Sequence, residues 1–309
     1  NDSQTFQALL ASDPTLIKTK EPGLDDPLLV WAARKNQPAM VALLLKSGAD
    51  IHATNRLGSN PLHLAAFTGD YAMMELLINS GADFKERNLR GKTPVDYVSI
   101  GKNPRVFDLF LRKDKNILSE KTTDGATLLH LAANAGDTAG FSYLLGKGLD
   151  IRARDDNGST VVLSALAGDN SGMIPFLNRQ GADLDAGDNH GLNPLMWSVM
   201  DNNIEMARFL AGHGADVNHR DNAGVTPLIL AANRDSLPMI EWLINQGAGI
   251  RAADKEGKTA LHIASMTGNF PAASYLAGNH TLLNIRDNNG MTPLHLAAEK
   301  GQKDAAVFL

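Results

Sequence analysis

Residues 290–298 read GMTPLHLAA, and variants of this stretch occur at 257–264 (GKTALHIA), 224–232 (GVTPLILAA), 125–133 (GATLLHLAA) and 58–66 (GSNPLHLAA). The glycine that opens the stretch recurs at residues 58, 91, 125, 158, 191, 224, 257 and 290, with a step of 33 residues and one step of 34. Such a period is typical of a solenoid, in which small units bury their apolar faces by stacking on one another. The chain is therefore predicted to be an array of repeats.

A second phrase closes the units in fixed register with the first, as in LLLKSGADI at 43–51, LLINSGADF at 76–84 and FLAGHGADV at 209–217. Together the two phrases resemble the ankyrin repeat, whose T-P-L-H-x-A signature and length they share. The resemblance covers residues 22–309. It implies an all-α solenoid of stacked helix-turn-helix units, with β-hairpin fingers between them.

Each element of the repeat has a physical reason. Pro lacks an N–H group and so fits the first turn of a helix, where the preceding Thr hydroxyl caps the helix end. The paired Ala residues allow neighbouring helices to approach closely, and Gly in Gly-Ala-Asp ends the second helix. The Asp-x-x-Gly turn, as in Asp221 to Gly224, then reverses the chain in a finger.

Counting from the Pro position gives nine units, which start near residues 22, 55, 88, 122, 155, 188, 221, 254 and 287. We expect one domain over residues 1–309, with an N-terminal capping helix at 1–21 and an incomplete ninth repeat. The third unit lacks the Gly-Ala-Asp phrase, which predicts an irregular finger. The fifth has Gly172 and Pro175 where its second helix is expected, and both residues lower helix stability.

Composition excludes several classes of protein. The net charge of −5 lacks the strongly basic character of a nucleic-acid-binding protein, and no apolar run is long enough to insert into a membrane. The segment from Lys85 to Lys121 contains ten basic and five acidic residues. This local positive charge favours electrostatic steering of a protein partner. An ordinary solvated surface is the alternative. The absence of cysteine favours a periplasmic or secreted protein, with the cytoplasm as the alternative. Because the chain begins at Asn1 rather than Met, removal of a leader, by processing or in preparing the chain, is an expectation.

The sequence contains no recognised catalytic or nucleotide-binding motif. The recurrent histidines, such as His63 and His262, occupy the Leu-His position, and the resemblance implies that they tie fingers to neighbouring repeats by hydrogen bonds. His213 and His219 have a spacing that a metal can use, but they straddle a turn. We therefore predict a protein that is not an enzyme and has no catalytic residues, metal or cofactor.

The resemblance implies that ligands are held by the finger tips and by the concave face of the first helices. Trp31, Tyr97 and Trp197 follow the Leu-His slot there, either as binding anchors or as filling between repeats. The predicted partner-binding residues are Trp31, Arg34, Lys35, Arg56, Phe67, Arg90, Lys92, Tyr97, Trp197, Met200, Asn233, Arg234 and Met266.

The favoured hypothesis is a monomer that binds another folded protein, inhibits or regulates it where it is an enzyme, and acts as a bacterial, exported self-protection protein. The alternative is the ankyrin targeting region of a larger secreted bacterial effector enzyme. A third hypothesis is a structural scaffold in a eukaryotic cytosol.

Overall fold

The computed structural model describes residues 5, 8–9, 12–101, 103–234, 236–278 and 283–309. Over these residues it has eighteen α-helices, four short 3₁₀ segments and no β-strand. The chain forms two compact units, Asn1–Asp156 and Asn157–Leu309. The prediction of a helical chain is confirmed, with two helices in each repeat.

The first unit holds four helix pairs, and the first and second members of each pair are here called first helices and second helices. They are α1 (Leu28–Arg34) with α2 (Pro38–Lys46), α3 (Pro61–Thr68) with α4 (Tyr71–Asn79), α5 (Pro94–Gly101) with α6 (Phe107–Lys113), and α7 (Leu128–Asn134) with α8 (Thr138–Gly146).

The second unit holds five pairs. They are α9 (Val161–Ala167) with α10 (Ile174–Arg179), α11 (Pro194–Met200) with α12 (Ile204–Gly212), α13 (Pro227–Asn233) with α14 (Leu237–Asn245), α15 (Ala260–Thr267) with α16 (Phe270–Ala277), and α17 (Pro293–Glu299) with α18 (Lys303–Phe308).

Short polar side chains fix where the first helices begin. The side-chain oxygen of Asn193 accepts a hydrogen bond from the Met196 N–H, and the Thr226 hydroxyl accepts one from the Ile229 N–H. Each bond satisfies a donor that has no partner inside the helix. Pro follows the cap at position 194 and again at 227, where its missing N–H costs nothing.

Within each unit, neighbouring first helices pack against one another. Their paired alanines are completely buried at this contact, as Ala65 and Ala66 are in α3 and Ala231 and Ala232 are in α13. A side chain of one methyl group lets two helix backbones approach closely, while leucines such as Leu62 supply apolar bulk to the same core. Each repeat therefore depends on its neighbours for burial.

Buried histidines link successive repeats. His262 in α15 is fully buried, and its Nε2 lies 3.2 Å from the carbonyl oxygen of Met291 in the following finger. A carbonyl oxygen only accepts, so Nε2 is the donor. The Thr259 hydroxyl lies 2.9 Å from Nδ1 and completes the capping box of the helix. The structural role implied by the resemblance is the one that the geometry shows.

The fingers are hydrogen-bonded turns, and the predicted β-hairpin strands are not confirmed in the described residues. The N–H of Asn55 donates to the carbonyl of Ser59, and the N–H of Gly58 donates back to the carbonyl of Asn55. The Asn55 Oδ1 also accepts from the N–H groups of Leu57 and Ser59. These bonds close a turn of five residues, and in the described part of the chain only isolated bridges, such as Ala253 with Thr259, flank turns of this kind.

Successive finger tips are joined directly. The N–H of Leu89 donates to the carbonyl of Leu57 at 3.0 Å, and the same bond recurs in the second unit from Asn222 to His190. Gly58 has a φ of +71°, and a Cβ added to it would lie 2.8 Å from the Leu89 nitrogen. The recurring glycine is therefore required both by the turn and by the close approach of the next finger.

The two irregular repeats depart from the pattern in different ways. After α6 the third repeat adds a 3₁₀ segment, Ile117–Ser119, before its turn. In the fifth repeat the predicted conflict within the second helix does not arise, because Ser171–Met173 forms a 3₁₀ segment and α10 begins only at Ile174. Pro175 thus lies in the first turn, which it suits.

The capping helix predicted at 1–21 lies partly outside the described residues. The described part of that range includes a 3₁₀ segment, Pro14–Lys18, whose start is capped by the Asp13 carboxylate.

We expect His262→Ala to lower the free energy of unfolding by about 1–3 kcal/mol, because the Met291 carbonyl loses its donor and the buried ring leaves a cavity. Chemical denaturation followed by circular dichroism measures the change. His295→Ala is the matched control, since His295 makes the same contact with the Thr292 hydroxyl but is exposed. Equal losses from the two variants would contradict the proposed link between repeats.

Candidate protein-binding surface

The structure brings four of the predicted binding residues of the first unit to one concave pocket of about 340 Å³. Arg34, Phe67, Arg90 and Tyr97 line it, and we call it the Phe67–Tyr97 pocket. Its other lining residues are Asn55, Leu57, Ser59, His63, Leu64 and Thr68.

Three successive repeats build this pocket. Arg34 ends α1, Phe67 lies near the end of α3, and Tyr97 lies in α5. The tips of the two intervening fingers contribute Leu57 and Arg90. Because each first helix packs on the next, side chains from three successive first helices meet at one place. Residues that are far apart in sequence thereby line a single cavity.

The aromatic wall of the pocket is held in place. The Asn88 side-chain amide donates to the Tyr97 hydroxyl at 3.0 Å and to the Ser59 hydroxyl at 3.1 Å. The Tyr97 ring meets the rings of His63 and Phe67 edge-on, with centroid distances of 6.0 and 6.3 Å. Such pairs are favourable arrangements of aromatic rings. Phe67 nevertheless keeps 53% of its surface exposed, so it is available to a ligand.

His63 forms part of the wall without acting as a charged group. Burial lowers its pKa, which keeps the ring neutral at pH 7. Its Nε2 donates to the Lys92 carbonyl at 3.0 Å, and its Nδ1 accepts from the Asn60 N–H at 3.2 Å. Both ring nitrogens are therefore engaged by the backbone, and His63 supports the fold behind the pocket.

A buried carboxylate places Arg34. Asp26 is 1% exposed, and its Oδ2 lies 2.8 Å from an Nη atom of Arg34. The charges are in contact although their geometry falls short of an aligned hydrogen bond. The Arg34 Nε is also buried and has no hydrogen-bond partner among the described residues. One side of the guanidinium is thus fixed, while about a third of the side chain stays exposed at the pocket.

Arg90 differs from Lys85 and Lys92, which both form ion pairs. Lys85 pairs with Asp114 at 2.5 Å and Glu120 at 3.0 Å, and Lys92 lies 3.5 Å from Asp124. Arg90 is exposed at the finger tip and makes no ion pair within the part of the chain that the structure describes. Ion pairs therefore neutralise part of the basic excess of residues 85–121, and Arg90 is one of the basic residues left without an ion pair among the described residues.

The remaining predicted residues of the first unit do not line the pocket. The Lys35 ammonium lies 5.9 Å from the Trp31 ring centroid, within reach of a cation–π interaction. Arg56 is exposed beside Leu57 on the finger tip, and Lys92 is turned towards Asp124.

The predicted residues of the second unit are described separately. Trp197 and Met200 lie in α11 and are partly exposed, Asn233 and Arg234 are exposed at the end of α13, and Met266 is partly exposed in α15. The Trp197 Nε1 is buried without a hydrogen-bond partner among the described residues. All five occupy free positions of first helices or of the turns that follow them.

Sequence reasoning missed Asp26. It precedes α1, outside the repeated phrases, and no periodicity marks it as the partner of Arg34. It also passed over His63 and Ser59 as pocket residues, since both belong to the repeated signature that was assigned to folding.

No metal-binding or membrane-spanning feature emerges from the described residues. They hold no group of three His, Asp or Glu side chains placed to bind a metal ion, and none of their helices has the length and apolar character to cross a bilayer. His213 Nδ1 lies 2.7 Å from the Phe209 carbonyl, and His219 Nε2 lies 2.7 Å from the Gly191 carbonyl.

The family model for ankyrin repeats (three copies) matches residues 1–88, 29–121, 95–188, 129–221, 163–254 and 228–309. These overlapping matches span the chain, which belongs to the ankyrin-repeat family. The family is generally a non-enzymatic protein-interaction module. A comparison with curated proteins found no significant match.

We expect Asp26→Asn to lower the free energy of unfolding by about 1–3 kcal/mol, because the buried face of Arg34 loses its counter-charge. Partial exposure of Arg34 keeps the loss below that of a fully buried pair. Asp25→Asn is the control, since Asp25 pairs with Lys20 at 3.0 Å on the surface and such pairs contribute about 0–1 kcal/mol. Denaturation curves that place both variants at the wild-type midpoint would refute this role.

Proposed function

We propose that this protein binds a folded partner protein through the finger tips and the exposed side of its first helices, and that it inhibits an enzyme by covering the active site. The single observation that carries the proposal is the Phe67–Tyr97 pocket, where exposed aromatic surface stands beside two arginines. Tyr, Trp and Arg are the residues most enriched among those that dominate binding energy. The membership of the ankyrin family supports protein binding in general.

The rigid build of the pocket supports binding without rearrangement. Asn88 holds Tyr97, Asp26 holds Arg34, and Tyr97 in turn contacts Phe67. Side chains that are fixed before binding lose little conformational entropy when a partner arrives, so more of the contact energy appears as affinity. A binding surface of this kind suits an inhibitor, which needs a long-lived complex.

We further propose a self-protection role in the periplasm or outside a bacterial cell. The absence of cysteine from 309 residues supports an oxidising compartment, because a protein without thiols has none to be oxidised there. The alternative remains that the repeats are the targeting region of a larger secreted effector enzyme. In that case the bound protein is the substrate of an attached catalytic domain and is chemically modified rather than inhibited.

Site-specific photo-crosslinking identifies the partner. We expect a benzophenone side chain at position 67 to crosslink one protein in an extract of the source cells, and mass spectrometry to identify it. The same group at Tyr275, which is 41% exposed on the second helix α16, is the matched control and should give no crosslink to that protein. A crosslink from position 275 alone would show that another face binds.

The identified partner then distinguishes the two functions. If it is an enzyme, adding this protein at equal concentration should abolish its activity, whereas the variant with alanine at Trp31, Phe67, Trp197 and Met200 should leave it active. Replacing Leu24 and Tyr275 by alanine, which removes exposed side chains outside the proposed surface, should preserve inhibition. Full enzyme activity in a saturated complex would reject the inhibitor role while leaving the binding role intact.

A further inference from the structure

We infer that the Phe67–Tyr97 pocket takes a short acidic segment of the partner protein, in which an apolar side chain enters the pocket and a neighbouring carboxylate meets Arg34 and Arg90. The inference rests on the proposed function, since it names the chemistry of the partner at the same surface.

The size of the pocket sets the scale of its occupant. A volume of about 340 Å³ lies at the lower end of the range for small-molecule sites, which is about 300–1,000 Å³. This space accommodates one or two side chains with the backbone between them, and it is too small for a helix pair or a sheet edge. The occupant is therefore a protruding loop or a terminal segment of the partner.

Two exposed apolar side chains line the pocket. Phe67 is 53% exposed and Leu57 is 50% exposed, while most large apolar side chains of the first unit are buried. Leu57 extends from a finger tip and Phe67 from a helix, so the two lie on different walls of the cavity. Binding is favoured when an apolar side chain of a partner displaces water from exposed apolar groups around a concavity. One large aliphatic or aromatic residue fits this part.

Charge is one-sided in the pocket. Two of its ten lining residues are arginines, and none is acidic. The Asp26 carboxylate contacts one side of Arg34, and about a third of the Arg34 side chain stays exposed at the pocket. Arg90 makes no ion pair with any described residue, whereas the nearby Lys92 has Asp124. Guanidinium groups bind carboxylates with two parallel hydrogen bonds, so an Asp or Glu side chain or a terminal carboxylate complements this rim.

Peptide display with the full chain as bait tests the inference without knowledge of the partner. We expect random peptides selected on the wild-type protein to be enriched in sequences that place a carboxylate within two positions of a leucine or an aromatic residue. High salt should weaken the binding of the selected peptides, because the contact at the rim is partly exposed.

Reversing the charge of Arg90 tests the proposed carboxylate contact most directly. Arg90→Glu should weaken binding of the selected peptides at least about tenfold, and a new selection on that variant should enrich basic residues in place of acidic ones. Lys115→Glu makes the same charge change at an exposed residue that does not line the pocket, and it should change affinity less than about twofold. Arg34→Lys keeps the charge beside Asp26 and tests the planar guanidinium separately, with a loss of about fivefold expected.

Several results would overturn the inference. Selected peptides that are neutral or basic, or an Arg90→Glu variant that binds acidic peptides as well as the wild type, would exclude a carboxylate at the rim. Selection of no peptide at all would exclude a linear segment. Self-association of the chain that Arg90→Glu abolishes would make the occupant a second copy. Any of the three peptide results would remove only this inference. The proposed function would still stand if a partner protein crosslinks at position 67.

Discussion

The close packing of each alanine-rich first helix against its neighbour is the interaction on which the rest of the structure depends. Ala65 and Ala66 have no exposed surface, and the same holds for Ala231 and Ala232. A helix pair alone leaves this face in water, so a repeat is stable only when neighbours cover it. The same packing holds equivalent positions of successive helices at one distance. The stacked repeats thus form a surface on which side chains outside the repeated signature meet.

The candidate site arises where the repeated signature leaves positions free. His63 and Asn88 belong to the machinery that connects repeats, yet they also support the pocket: His63 lies against Tyr97, and Asn88 bonds to its hydroxyl. Arg34 and Phe67 occupy positions that the repeated signature leaves free, and both line the pocket. Side chains that connect the repeats therefore also support the pocket. A change at His63 or Asn88 is therefore expected to shift the Tyr97 ring in the pocket wall.

The sequence predicted the helices, their order and four pocket residues, because a strict period places each free position on the same side of its unit. It did not predict the structural features that depend on individual contacts. The fingers are turns because Asn55 and its equivalents bond to the backbone within five residues, and periodicity carries no information on strand length. The later start of α10 makes Pro175 harmless, a boundary that propensity alone misplaces. Asp26 lies outside the repeat, so only the folded chain shows that it holds Arg34.

Amide hydrogen exchange of the complex with the partner identified by crosslinking tests most directly the claim that the finger tips and first helices bind it. The measurement reports on the helices and the fingers in a single experiment. The account predicts slower exchange on binding in the finger tips at 55–59 and 88–92 and at the ends of α1, α3 and α5, with second helices α2, α4 and α6 unchanged. Protection confined to those second helices, with the finger tips exchanging as in the free protein, would contradict it.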